Sequence, residues 1–487
     1  MERDVYRDYL ELCEFTKEEI DGGLYDDWRH CCEVFKLDEE TVRNAVDKNI
    51  PEWWPIHYHG IRKAIGAFTY EFIHQAHLPE YKAEGKPIVY GIMPVIVTAF
   101  QAIKEAGGDD VFVGFPDLLH MVMMRGIFNN GYDYFEAAEA NGMTYGARHC
   151  ALDKMRIGAN LIGTIPTPTV SWSWGLVCDE GCKTDEYIHC LNDEDWKYVI
   201  TRTPHDEARG EGSAADDEYQ VRYLADKLRE GMKEVGDIIG IEVTEEHLQK
   251  ALEKSMGYKM KLGKLFSIAA GANPPLLKGF ELSQFAHPFS MPFDAGIDRM
   301  DDAITTLIGE LEADIANGVE REFPRDTPRV LTLFASFATP WLDRAFADNG
   351  IAVTSMIHGL VTAKEVAPSK YTDPWEQVAE QWFRADFGHG CWVAQGEWKE
   401  KIEAVKPDAI ILGYFDYDRW LGHYCKFMAN WANKELGIPS FYMEADYYDD
   451  RDYSAESLRT RIETIAQVIK REKKRQLREQ KKLEAAE

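Results

Sequence analysis

Nine cysteines are distributed over 487 residues, and each can serve as a small buried hydrophobe, a metal ligand or a nucleophile. Position along the chain separates them. Cys150 closes the run TYGARHC and precedes the helical ALDKMRIGANLIG, and Cys178 follows TPTVSWSW and opens CDEGCKTDEY. Both stand where an apolar or β-branched run gives way to a helix, and in open α/β sheets that edge is where reactive groups gather. Cys182 follows Cys178 in a Cys-x3-Cys spacing, half of a zinc-type pattern whose second pair is missing. In the C-terminal half, Cys425 follows the strand-like DAIILGYF, and Cys391 lies in FGHGCWVAQGEW. Cys425 shares the strand-then-cysteine placement and is preferred, with Cys391 in reserve. Cys13, Cys31 and Cys32 fall in a helical, aromatic-rich N-terminus and read as packing residues, as does Cys190 on a helix face.

Other chemistry-bearing residues are fewer. His57 and His59, in EWWPIHYHG beside Trp53, Trp54 and Tyr58, could supply a proton donor, or could be satisfied members of an aromatic layer. The acidic run Glu444 to Asp450 could suit a hard cation, but its carboxylates more readily cap the following helix and pair with Arg451, Arg459 and Arg461. The sequence contains no GxxxxGK[ST] phosphate loop, no GxGxxG opening the first α/β unit, no HExxH helix and no GxSxG elbow. ATP hydrolysis within this chain is therefore unsupported.

The elements that must position these residues follow from periodicity. Residues 1–85 read as an N-terminal helical layer. From residue 86 the texture changes: KPIVYGIM, DVFVGFP, TYGARHC and TPTVSWSW are short strand-like runs, each followed by a turn or a helical pattern. Such alternation indicates βαβ units and a parallel sheet. A first Rossmann-like α/β domain is thus expected over 86–214 and a helical linker region over 215–325. A second Rossmann-like domain is expected over 326–468, built on PRVLTLFASF, GIAVTSMI, DAIILGYF and IPSFYMEAD. Residues 469–487 form a charged helical tail. No residue-level repeat relates the two halves.

Composition narrows the setting. Apolar residues make up 45% and charged residues 29%, ordinary for a globular protein. The net charge of −29 repels phosphate backbones, which argues against nucleic acid. The acidic, amphipathic N-terminus lacks a signal peptide's basic start and apolar run, and the longest apolar stretches are too short to span a bilayer. A cytoplasmic, membrane-free protein is expected, and there cysteines do not form a disulfide framework.

The run from Lys406 to Ile469, with GIPSFYMEAD (437–446) and DRDYSAESLRTRIE (450–463), resembles the end of the 2-hydroxyacyl-CoA dehydratase and benzoyl-CoA reductase family. The first half agrees: a cysteine followed by a helix containing Gly158-Ala159, then Cys178-Asp179 with Lys183 and Glu186 downstream. The resemblance covers about residues 86–468. It implies a [4Fe–4S] cluster held by Cys150, Cys178 and Cys425, with one iron left open for a thioester oxygen. One strongly reducing electron would then give a ketyl radical, from which a hydroxyl can leave or a ring can be reduced. It further implies an acyl-CoA substrate, a related second subunit and a separate ATP-hydrolysing iron–sulfur activator. The alternatives are reduction of an aromatic acyl-CoA, a double-cubane [8Fe–9S] reductase for which Cys178 and Cys182 would suit extra cluster atoms, and a non-catalytic electron relay. The last draws on a departure from the family pattern: Met93-Pro94-Val95-Ile96 carries no acid where relatives have Pro-x-Glu.

Overall fold

The computed structural model describes residues 3–92, 96–143, 149–175, 180–204, 218–277, 291, 293–319, 323–333, 340–384, 391–414, 419–444, 446, 449–451 and 454–484. Three sequence readings lie outside them: the Met93–Val95 segment, most of the TYGARHC run, and Cys178.

Among the described residues, eight strands form two four-stranded sheets, every pairing parallel. The first sheet contains β1 (Ile88–Gly91), β2 (Phe112–Gly114), β3 (Val170–Gly175) and β4 (Tyr198–Arg202), in the order β2-β1-β3-β4. The second contains β5 (Arg329–Leu333), β6 (Ala352–Met356), β7 (Ala409–Tyr414) and β8 (Ser440–Glu444), in the order β6-β5-β7-β8. The expected α/β class, with two parallel-sheet halves and an N-terminal helical region, is what the chain adopts. β1, β2 and β6 are buried at every position, as continuous apolar runs must be in a parallel sheet covered on both faces.

In each sheet the chain passes from its first strand outward to the second, then returns across the first to the third. This places a topological switch point between β1 and β3, and another between β5 and β7; in open α/β sheets, ligands bind outside the strand ends at such points. Ile92 follows β1, and Glu180 is the first described residue after β3.

The chain divides into two compact units. One comprises Met1–Leu262, Phe285–Glu310 and Ala363–Ala394, and the other Gly263–Gln284, Leu311–Thr362 and Gln395–Glu487. The first unit carries β1–β4 and the N-terminal helices from Val5–Leu12 to Leu78–Ala83. These helices pack through aromatic stacks, Tyr9 on Trp28 at 4.7 Å and Phe35 on Phe72 at 4.0 Å between ring centroids. Cys13, Cys31 and Cys32 are buried in that layer, as their sequence context predicts. Cys190 corrects its prediction and is exposed. The helix Gly181–Leu191 buries Gly181, Thr184, Asp185 and Ile188, and position 190 falls off that stripe.

In the second unit the helix Ala455–Glu484 runs unbroken into the charged tail. Leu458, Ile462, Ile465 and Ile469 pack with Val330, Phe346 and Ile411, and Lys473 pairs with Asp408 at 2.9 Å. Of the acidic run, Asp449 pairs with Arg451 at 2.7 Å, and Asp450 accepts from Trp341 Nε1 at 3.1 Å.

Candidate functional site

Cys150 is the residue from which the helix Ala151–Ile162 starts. Its backbone is extended (φ −57°, ψ 136°), and its carbonyl accepts from the Lys154 N–H at 3.0 Å. His149 and Cys150 belong to no strand, which corrects the strand reading for the end of TYGARHC. Cys150 is half-buried at the start of this helix. The helix ends at Gly163, whose φ of 87° is the left-handed conformation glycine adopts freely.

Two contacts fix this helix. At Gly158 a Cβ would lie 1.9 Å from the Tyr134 carbonyl oxygen, so the helix Tyr132–Ala140 crosses it at a distance only glycine permits. Two residues earlier, Arg156 is fully buried. It donates to Asp117 (3.0 Å), Asp185 (2.9 Å), Ser171 Oγ (2.7 Å) and the carbonyl of Gly91 (2.9 Å), the last residue of β1. Asp185 also accepts from Ser171, Ser173 and Trp196 Nε1. One guanidinium thus ties the Cys150 helix to β1, to β3 and to the helices Pro116–His120 and Gly181–Leu191. Burial would discharge Arg156, but Asp185 and Asp117 outweigh it and raise its pKa. Asp117 itself is pushed up to about 6 by burial, against the pull of Arg156.

Glu180 joins the cysteine-bearing segments. It lies two residues after Cys178 and two before Cys182. Its carboxylate accepts from His149 Nδ1 at 3.1 Å and from the Cys150 backbone N–H at 3.5 Å. Asp153, one turn into the Cys150 helix, is buried against it. Burial, with the neighbouring Glu180 charge, raises the Asp153 pKa well above the carboxylate range. Burial also works against ionised Glu180, but hydrogen bonds with His149, Asp153 and Cys150 prevail and hold its pKa below the usual range. The two neighbouring carboxyl groups are thus shifted in opposite directions beside the Cys150 backbone.

The remaining predicted residues fall elsewhere. Cys182 is half-buried in the first turn of Gly181–Leu191. Cys425 lies mid-helix in Arg419–Trp431 and is buried, its thiol donating to the Gly413 carbonyl of β7 at 3.3 Å. Cys391 is the first residue of the helix Cys391–Val405 and belongs to the same compact unit as Cys150. His57 is exposed and its ring packs on Tyr58. His59 is exposed; Nδ1 lies 3.0 Å from Glu14, which also pairs with Arg62. Glu180, Asp153, Arg156, Asp117 and Asp185 escaped the sequence reading. A signal existed for two of them, since Asp153 and Arg156, with Lys154, are charges inside the otherwise largely apolar helix ALDKMRIGANLI.

Half-buried thiols near a helix start are the donors an iron–sulfur cluster takes, and Cys150 and Cys182 fit that chemistry. No match to this chain is found among curated proteins. The family model for the 2-hydroxyglutaryl-CoA dehydratase D-component matches residues 97–469, well over half of the 487-residue chain, and the chain therefore belongs to that dehydratase-component family.

Proposed function

We propose that this chain is the iron–sulfur subunit of an oxygen-sensitive, activator-dependent enzyme that dehydrates a 2-hydroxyacyl-CoA in the cytoplasm. Beyond family membership, the observation that carries the reading is the Glu180–Cys150 contact. It ties the segment that starts the Cys150 helix to the segment two residues from Cys178. Cys150 and Cys178 would supply two thiolates to a [4Fe–4S] cluster. For the third, Cys425 is carried over from the family resemblance, with Cys391 in reserve.

When bound, such a cluster supplies a single low-potential electron to a thioester carbonyl, which allows the 2-hydroxyl to leave. The chain's own residues hold the frame. Arg156 locks the Cys150 helix against β1 and β3, and Glu180 contacts the backbone at Cys150 and the buried Asp153. His57 and His59, both exposed, would be the proton donors, His59 with its Nδ1 on Glu14. The electrons would come from a separate ATP-hydrolysing iron–sulfur activator, since this chain has no phosphate loop, and a related second subunit would complete the enzyme.

A double-cubane reductase is the second reading, favoured by one observation: Cys182 is half-buried in the turn that follows Glu180.

The proposal is tested by purifying the chain anaerobically with its activator and partner subunit and assaying 2-hydroxyacyl-CoA dehydration. Cys150→Ser is expected to abolish turnover. Undiminished turnover in that variant would exclude the role given to Cys150.

A further inference from the structure

The N-terminal helical layer precedes the family match and holds a second cluster of metal-binding side chains, independent of the cysteines. His30 lies on the helix Tyr25–Val34, His77 at the junction between the helices His59–Ala76 and Leu78–Ala83, and Glu80 in the first turn of the latter. One ligand atom from each of the three lies within 4.8 Å of the others. The two imidazoles stack with centroids 4.9 Å apart. His30 Nε2 is 3.3 Å from Glu80 Oε1, yet it is closed to solvent and makes no hydrogen bond. Asp27, one turn before His30 on the same helix face, has Oδ1 3.9 Å from His77 Nε2.

These distances have a chemical meaning. Nitrogen and oxygen ligands sit about 2.0–2.2 Å from zinc, and in a tetrahedron that separates neighbouring donors by roughly 3.3 Å. The His30–Glu80 pair already has that separation, in an orientation that does not make a hydrogen bond. The His77-x-x-Glu80 spacing puts two donors on one side of a short turn, while His30 approaches from a different helix. The side chains are partly exposed, 34% for His30, 29% for His77 and 46% for Glu80, so the cluster lies near the surface of the helical layer with His30 Nε2 itself covered. Two imidazoles and one carboxylate suit zinc and its borderline neighbours, not calcium or magnesium, which take oxygen ligands.

We propose that His30, His77 and Glu80 bind a divalent transition-metal ion of the zinc type, with Asp27 adding negative charge beside it. The fourth position falls to water. The ion cross-links the helix Tyr25–Val34 to the His59–Ala76 and Leu78–Ala83 junction, and it stabilises the helical layer without entering the cysteine chemistry.

The test uses the full chain, purified anaerobically with its cysteine site intact and dialysed against Zn²⁺. Wild type is expected to retain one more zinc per chain than His30→Gln or His77→Gln, and zinc is expected to raise the melting temperature of wild type alone. Co²⁺ bound in place of zinc should show tetrahedral ligand-field bands without sulfur-to-metal charge transfer, and these bands should vanish in both variants. Should a histidine variant fail to fold, Glu80→Gln at the more exposed position carries the same prediction, as weaker zinc retention. Equal zinc content in wild type and every folded variant, or cobalt spectra carrying thiolate character, would overturn the proposal.

Discussion

The Glu180 carboxylate reaches the backbone N–H of Cys150 at 3.5 Å while holding the His149 ring at 3.1 Å. Thirty positions of sequence separate Glu180 from Cys150, and the contact joins the start of the Cys150 helix to the segment that follows β3. Glu180→Ala leaves the buried Asp153 carboxyl and the His149 ring without this partner. Its expected stability cost is about 1–3 kcal/mol, with an additional loss of iron from protein that remains folded. Iron per chain, measured beside the thermal midpoint, checks both parts; full iron retention in a folded variant would show that the contact does not position Cys150.

Arg156 is the anchor of the Cys150 helix. Arg156→Met removes one cation facing two buried carboxylates, Asp117 and Asp185. The expected destabilisation is about 3–5 kcal/mol, because breaking a buried pair strands its partners. Adding Asp117→Asn and Asp185→Asn to Arg156→Met should recover part of that loss. Denaturant unfolding of the single and triple variants distinguishes stranded charge from lost packing, which the triple variant would not repair.

Gly158 meets the Tyr134 backbone too closely for any side chain. Gly158→Ala must push the Tyr132–Ala140 helix away, at an expected cost of about 1–3 kcal/mol from overpacking. At Gly257, on the helix Glu245–Gly271, a Cβ would meet nothing within 4 Å, so Gly257→Ala should be neutral or stabilising. The two melting temperatures should therefore move in opposite directions or by clearly different amounts.

His120 gives the fold an acid limit. It is fully buried; Nδ1 lies 2.5 Å from Gln75 Nε2 and 3.1 Å from the Pro116 carbonyl. Burial pushes its pKa down to about 3 from an ordinary value of 6.5. Between these values the unfolded chain binds the proton and the folded chain does not. The stability contributed by neutral His120 is therefore complete above pH 6.5 and is lost as pH falls toward 3, at up to about 1.4 kcal/mol per pH unit. His120→Gln should lower stability at about pH 7.5 but flatten its decline below the ordinary histidine pKa. Unfolding free energies from about pH 5 to 8 measure both slopes.

Most strands were legible in the sequence: β1, β2, β5, β6, β7 and β8 fall inside the expected segments, and β3 overruns its segment only by Gly175. β4 was not: within Tyr198–Arg202 only Val199 and Thr201 are buried, the weak alternation of an edge strand flanked by charges. The shared strand order of the two sheets was also invisible, because topology repeats here without residue identity. At the site, Cys150 could be placed ahead of its helix from local pattern alone. Glu180 and Arg156 could not be placed, because their roles depend on partners such as Cys150, Asp117 and Gly91 that only tertiary folding brings near. Gly158, noticed in the sequence for its resemblance, has its physical reason in the Tyr134 carbonyl.

The central claim is a cysteine-held iron–sulfur cluster, and iron with acid-labile sulfide in anaerobically purified chain tests it most directly. Wild type is predicted to carry about four iron atoms per chain, with Cys150→Ser and Cys178→Ser each folded and nearly iron-free. Wild-type protein without iron, or full iron in both variants, would contradict the account.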